Sequence, residues 1–151
     1  MNKIILTLTV GGFLLYGCGN TSNEKTKEHP EPHQDYQHDD EQSTIRLNNG
    51  EKWLVNEEMK PFILEAENIL KEFISKKSTD YKALAEQLKK KNSGLIKSCT
   101  MKGESHDELH NWLHPHIDLI KALSEATSDE DAASIVSELE NSFKTYHNYF
   151  Q

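Results

Sequence analysis

The sequence is poor in the residues from which most recognisable site motifs are built. Glycine occurs only 7 times in 151 residues, and no Gly-rich loop of the kind whose backbone amides cradle phosphate is present, which excludes the common nucleotide-binding signatures. His-Glu-x-x-His is missing, so the familiar zinc-hydrolase helix is excluded, and Cys-x-x-Cys-His is missing, so covalent haem attachment is excluded. Cysteine occurs twice, as Cys18 and Cys99. No internal repeat is visible, nor the strand–helix alternation of an α/β fold. No oxyanion-stabilising element accompanies the Cys and His residues, so nucleophilic catalysis is not expected and the protein reads as a non-enzyme.

Long apolar runs are also scarce. The one candidate covers residues 4–15, follows Lys3 and is interrupted only by Thr and Gly. It is too short for a membrane span and has the make-up of a signal-peptide core. It ends in Leu15-Tyr16-Gly17-Cys18, which resembles the lipobox of bacterial lipoproteins, with Tyr16 in place of the usual small residue. That resemblance implies cleavage after residue 17, lipidation of Cys18 with palmitate-type acyl chains, and a mature protein anchored in the bacterial cell envelope on the extracytoplasmic (periplasm-type) side of a membrane.

Residues 18–44 are a tether. They hold almost no large apolar side chains and are rich in Glu, Asp, Gln, Ser, Pro and Lys, a composition that cannot bury a core and predicts disorder. His29, His33 and His38 lie among its acidic residues. A hydrophilic spacer is the plain reading, and weak collection of metal ions is the sharper one.

The whole chain carries 25 Asp+Glu against 17 Lys+Arg, a formal charge of −8. Loss of Lys3 with the signal peptide makes the mature chain one unit more negative. This balance argues against nucleic acid and against adhesion to anionic headgroups, and it suits both solubility and cation binding.

Residues 45–151 form the predicted folded domain. Ile45, Leu47, Trp53 and Val55 flank Asn48-Asn49-Gly50, the sequence signal for a short β-hairpin. The period then becomes helical. A first helix is expected over 56–76, with Asn56 as its cap and Pro61 tolerated near its start or displacing it. A second opens at Thr79-Asp80 and runs to about Cys99, weakened at Asn92-Ser93-Gly94. A third covers 106–126, with Ser105 and Glu108 as a capping box, Gly103 as the stop of the preceding helix, and a stripe of Leu109, Leu113, Ile117, Ile120 and Leu123 in phase with His106 and His110. Pro115 is expected to bend it. Ser128-Asp129-Glu130-Asp131 caps a fourth, whose stripe runs to Phe150. The predicted fold is all-α, an up-down-up-down four-helix bundle preceded by the hairpin.

That topology gathers Met59, Cys99, Met101, His106, His110 and His147 at one end. Residues 99–116 alone contain one thiol, one thioether and four imidazoles. His106 and His110 are one helical turn apart and share a face. A helix N-terminus disfavours a protonated imidazole, and the neutral ring is the ligand form. Cys99 is the one thiol left after lipidation, and an unpaired thiol in an oxidising compartment needs burial or a metal. Cys99, His106 and His110 are therefore the candidate ligands of a copper or zinc ion, with Met101 and Met59 as further donors. Sequestration of the ion, or its exchange with a donor or acceptor protein, would be the role. His114, His116 and His147 are expected to be partly exposed. Trp112, Tyr149 and Phe150 are the exposed aromatics of a rival reading, a cofactor-free interaction module, with a core position beside Leu113 as the alternative for Trp112.

Asn56-Glu57-Glu58-Met59 places a methionine near the start of the first helix, and Thr145-Tyr146-His147-Asn148-Tyr149-Phe150 places a histidine near the end of the fourth. From Met59 to the C-terminus the domain resembles the periplasmic b-type cytochromes of four-helix-bundle type. The resemblance implies non-covalent haem b with Met59 and His147 as axial ligands. That family's pattern does not account for the cluster from Cys99 to His110.

Overall fold

The computed structural model describes residues 44–151, all within one unit, Asp40–Gln151. The expected signal peptide, the expected lipidation site at Cys18 and the histidines His29, His33 and His38 of the expected tether lie outside the described residues. Four helices follow in order: α1 (Lys60–Ser75), α2 (Tyr81–Ser98), α3 (Glu104–Glu125) and α4 (Asp129–Tyr149). The described residues are all-α and contain no strand, only two isolated bridges. None of these helices is long and apolar enough to cross a membrane.

Two helix starts follow directly from side-chain chemistry. Asp80 accepts a hydrogen bond from the Ala83 amide at 3.1 Å, and Ser128 accepts one from the Asp131 amide at 3.1 Å, each satisfying a donor that the first turn leaves without a partner. The other two starts differ from expectation. α1 begins at Lys60, with Pro61 in its first turn and no side-chain cap. Proline's fixed φ suits that turn and sets the start there. Asn56 is left outside the helix. Its Nδ2 donates to the Ser98 carbonyl at 3.0 Å and its Oδ1 accepts from the Thr100 amide at 3.2 Å, so it clamps the end of α2. α3 begins at Glu104 behind Gly103, whose φ of 66° and ψ of −155° are open to glycine. Gly103 thus opens α3 and does not stop α2, which ends at Cys99 in extended conformation. The capping box is absent: Ser105 Oγ donates to Lys102 O, and Glu108 is buried.

Where the hairpin is expected, the chain makes a tight turn. Asn49 (φ 51°) and Gly50 (φ 92°) form it, and Asn48 and Glu51 pair across it. The next residues bond to the C-terminus. The Trp53 amide donates to Tyr149 O at 2.8 Å, the Gln151 amide to Trp53 O at 2.9 Å, and the Val55 amide to Gln151 O at 3.1 Å. With its backbone groups satisfied there, the segment needs no second strand of its own.

The core comprises the inner faces of all four helices with Trp53, Val55 and Phe150. α1 packs on α2, α2 on α3, α3 on α4, and α1 also meets α4. The α1–α2 contact is close at Gly94, where a β-carbon would collide with the Phe62 ring. Both Gly94 and Pro115 lie within continuous helices. Between α3 and α4 runs a column of rings: Phe150 stacks on Tyr146 (5.3 Å), Tyr146 meets Trp112 (4.9 Å), Trp112 stacks on His116 (4.8 Å), and His116 meets Phe143 (4.8 Å). Trp112 and Phe150 are 2% and 1% exposed. They belong to the core, which corrects the expectation of exposure for these two, whereas Tyr149 is half-buried.

Candidate metal centre

α3 presents its imidazoles as a ladder. His106, His110 and His114 are spaced by four residues, so their side chains lie one above another on a single face. The ring centroids of His106 and His110 are 4.3 Å apart, and those of His110 and His114 are 4.9 Å apart. His110 Nδ1 and His114 Nε2 approach to 3.0 Å. His106 and His110 are half-buried at the edge of the core and His114 is exposed. Partial burial, with the neighbouring His106 and His114 adding to it and Asp107 opposing, holds His110 below its ordinary value. The neutral ring that a metal requires is therefore favoured at the middle of the ladder. His114 is the member the sequence reading missed. The signal for it was the repetition of the His106–His110 interval once more.

A 3.0 Å gap between two ring nitrogens suits two uses. One ring can donate a hydrogen bond to the other, or both can bind one ion. With metal–nitrogen bonds of about 2.0–2.1 Å, neighbouring donors sit roughly 2.9 Å apart at a right angle and roughly 3.4 Å apart in a tetrahedron.

The sulfur candidates are placed differently. Among the described residues Cys99 is a free thiol, half-buried, at the C-cap of α2. Met101 is half-buried, and both pack against the core. Met59 is wholly enclosed in the core, with 0% exposure. Among the described residues, no group of three or more His, Cys, Asp or Glu side chains stands in metal-holding geometry.

His147 is exposed, and its Nε2 lies 3.1 Å from Glu67 Oε2. Glu67 also pairs with Lys71 at 2.8 Å. Burial raises the Glu67 carboxyl, but the bonds to Lys71 and His147 outweigh it and leave the carboxyl below its usual range.

His116 overturns the expectation of partial exposure. It is 0% exposed. Its Nδ1 lies 2.8 Å from Ser142 Oγ, while the indole N–H of Trp112 donates to the carbonyl of the same Ser142 at 2.9 Å. Its Nε2 is buried without a hydrogen-bond partner among the described residues. Burial pushes its pKa down to about 4. The buried stripe of α3 is Leu109, Trp112, Leu113, His116, Ile120 and Leu123. Ile117 lies at its margin and is only half-buried.

No family model, curated protein or solved structure matches the chain.

Proposed function

We propose that this protein is a lipid-anchored, extracytoplasmic metal-binding module, non-enzymatic, that holds one copper or zinc ion on the imidazole face of α3 for sequestration or transfer. His110 and His114 are the primary ligands, with His106 adjoining and Cys99 and Met101 as the sulfur donors nearest in sequence. The carrying observation is the 3.0 Å separation of His110 Nδ1 and His114 Nε2, which a small opening of the two rings brings to the roughly 3.4 Å of neighbouring donors in a tetrahedral site. Imidazole and sulfur donors suit copper and zinc and do not suit magnesium or calcium. Lipid on Cys18 holds the module at the membrane, and the acidic tether spaces it from the surface.

The helices are read as an up-down-up-down bundle. The clamp from Asn56 to Ser98 and Thr100, and the pairing of Trp53 with Phe150, support that order. In it, the end of α2 that bears Cys99 runs beside the early turns of α3. Ile96 and Ile117, one turn from Cys99 and from His114 respectively, line one groove and agree with this register.

The test is titration of the protein with Zn(II), and with Cu(I) under reducing conditions, after His29, His33 and His38 are replaced by Gln to silence the tether. One ion per chain is expected, with at least tenfold weaker binding in His110→Ala and in His114→Ala. Cys99→Ser then reads whether the thiol contributes. Unchanged affinity in both His variants overturns the proposal.

A further inference from the structure

Away from the imidazole ladder, α2 and α3 enclose a groove of about 460 Å³, within the range of small-molecule sites. Ala85, Ile96, Ile117 and Ile120 give it apolar walls, and Ile96 is 51% exposed. Asn92 also lines it, although the residue is only 6% exposed. The Asn92 Nδ2 group is buried without a hydrogen-bond partner among the described residues. An orphaned amide donor costs about 1–3 kcal/mol, whereas an apolar side chain of similar size would cost nothing of the kind. An unpaired amide donor beside an open groove is satisfied when an acceptor enters that groove. The groove carries Lys89 and Lys121, both exposed, and Glu86. Neither ammonium is in an ion pair among the described residues. Two cations and one carboxylate leave a single positive charge, which complements a monoanion and disfavours cations.

We infer that the α2–α3 groove binds an amphiphilic monocarboxylate. Its apolar body lies along Ile96, Ile117 and Ile120. Its carboxylate accepts from the Asn92 amide, with a rotation of that side chain toward the groove, and meets the ammonium groups of Lys89 and Lys121. The site is separate from the metal reading and does not depend on it.

The probe is decanoate, with decyltrimethylammonium as the control of equal chain length and opposite charge. Calorimetry should show saturable binding of one decanoate per chain and at least tenfold weaker binding of the cation. Amide resonances of Asn92, Ile96 and Ile117 should shift, and those of the His106–His114 turns should not. Asn92→Leu should weaken decanoate at least tenfold while leaving the urea midpoint equal or higher, a combination that a merely structural Asn92 would not give. The exposed variant Lys121→Gln, which does not threaten folding, should weaken it severalfold at low salt and by less at high salt. Equal binding of the two detergent-like probes, absence of binding, or full decanoate affinity in both variants overturns the inference.

Discussion

Arg46 is tied twice to Glu108 across the start of α3: its backbone amide donates to Oε2 at 2.9 Å and its Nε–H to Oε1 at 3.1 Å. Glu108 is 2% exposed and also accepts from Asn111 Nδ2 at 3.3 Å. The Arg46 carbonyl in turn accepts the indole N–H of Trp53 at 2.6 Å. A carboxylate buried this deeply needs its donors. Arg46, near the start of the described residues, is thereby fixed to the helix that carries the imidazole ladder.

Arg46→Ala should destabilise the fold by about 1–3 kcal/mol, because Glu108 stays buried with one donor fewer. The guanidinium is largely exposed, so the Coulombic share is small and the lost hydrogen bond dominates. In a Glu108→Gln background the same substitution should cost distinctly less, since a neutral amide tolerates the loss. Urea unfolding of the four proteins of this cycle measures the difference. Equal costs in the two backgrounds would show that the two residues are not coupled.

Gly94→Ala normally strengthens a helix interior by up to about 1 kcal/mol. Here the added methyl would run into the Phe62 ring of α1, and the strain of moving that ring, about 1–3 kcal/mol, should reverse the sign. Gly94→Ala should therefore destabilise the wild-type protein and stabilise a Phe62→Ala variant. Denaturant midpoints of the two single variants and the double variant give the result.

The helices were legible wherever their ends are made by a side chain acting on its own first turn, as at Asp80 and Ser128, and wherever apolar residues recur at helical spacing. What was not legible depends on partners distant in sequence. Asn56 has the chemistry of a helix cap, yet it satisfies the end of α2, because Pro61 moves the helix start beyond its reach. Glu108 sits three residues after Ser105 at capping-box spacing, but Arg46 claims its carboxylate. Within the candidate site, His106 and His110 could be seen as neighbours from their interval alone. The depth of His116 could not, because both Leu113–Ile117 and Trp112–His116 satisfy the helical period. Trp112 and Leu113 are both buried, and only the α4 surface of Ser142 and Phe143 decides that His116, and not Ile117, follows them inward.

Phe150 closes the domain by packing its ring on Tyr146 while residues 149–151 pair with Trp53 and Val55. It is 1% exposed. Phe150→Ala should cost about 3–5 kcal/mol. It should also raise amide exchange at Trp53 and Val55 more than at Leu84 or Leu88, because the lost ring seats the short pairing that protects those amides. Uniform acceleration across all four positions would mean that the C-terminal pairing opens only with the whole domain.

His116 should make stability fall on mild acidification. Its pKa is about 4 in the fold and 6.5 in the reference state, so between these values the unfolded chain binds the extra proton. Stability then rises with pH across this window and is lost as pH drops from about 6.5 toward 4. For this group alone the loss is about 2 kcal/mol between pH 7 and pH 5. Its neighbours Ser142, Trp112 and Phe143 bring no charge to stabilise an imidazolium. The lowered His110 acts in the same direction, whereas the lowered carboxyls of Glu67 and Glu72 add their loss only below their ordinary value of 4.5. His116→Phe removes the titrating group and the orphaned Nε2 while keeping a flat ring between Trp112 and Phe143. Urea unfolding of the two proteins at pH 7 and pH 5 should show most of the drop in the wild type and only the smaller His110 share in the variant. An identical drop in both would mean that the buried ring is not the source of the acid sensitivity.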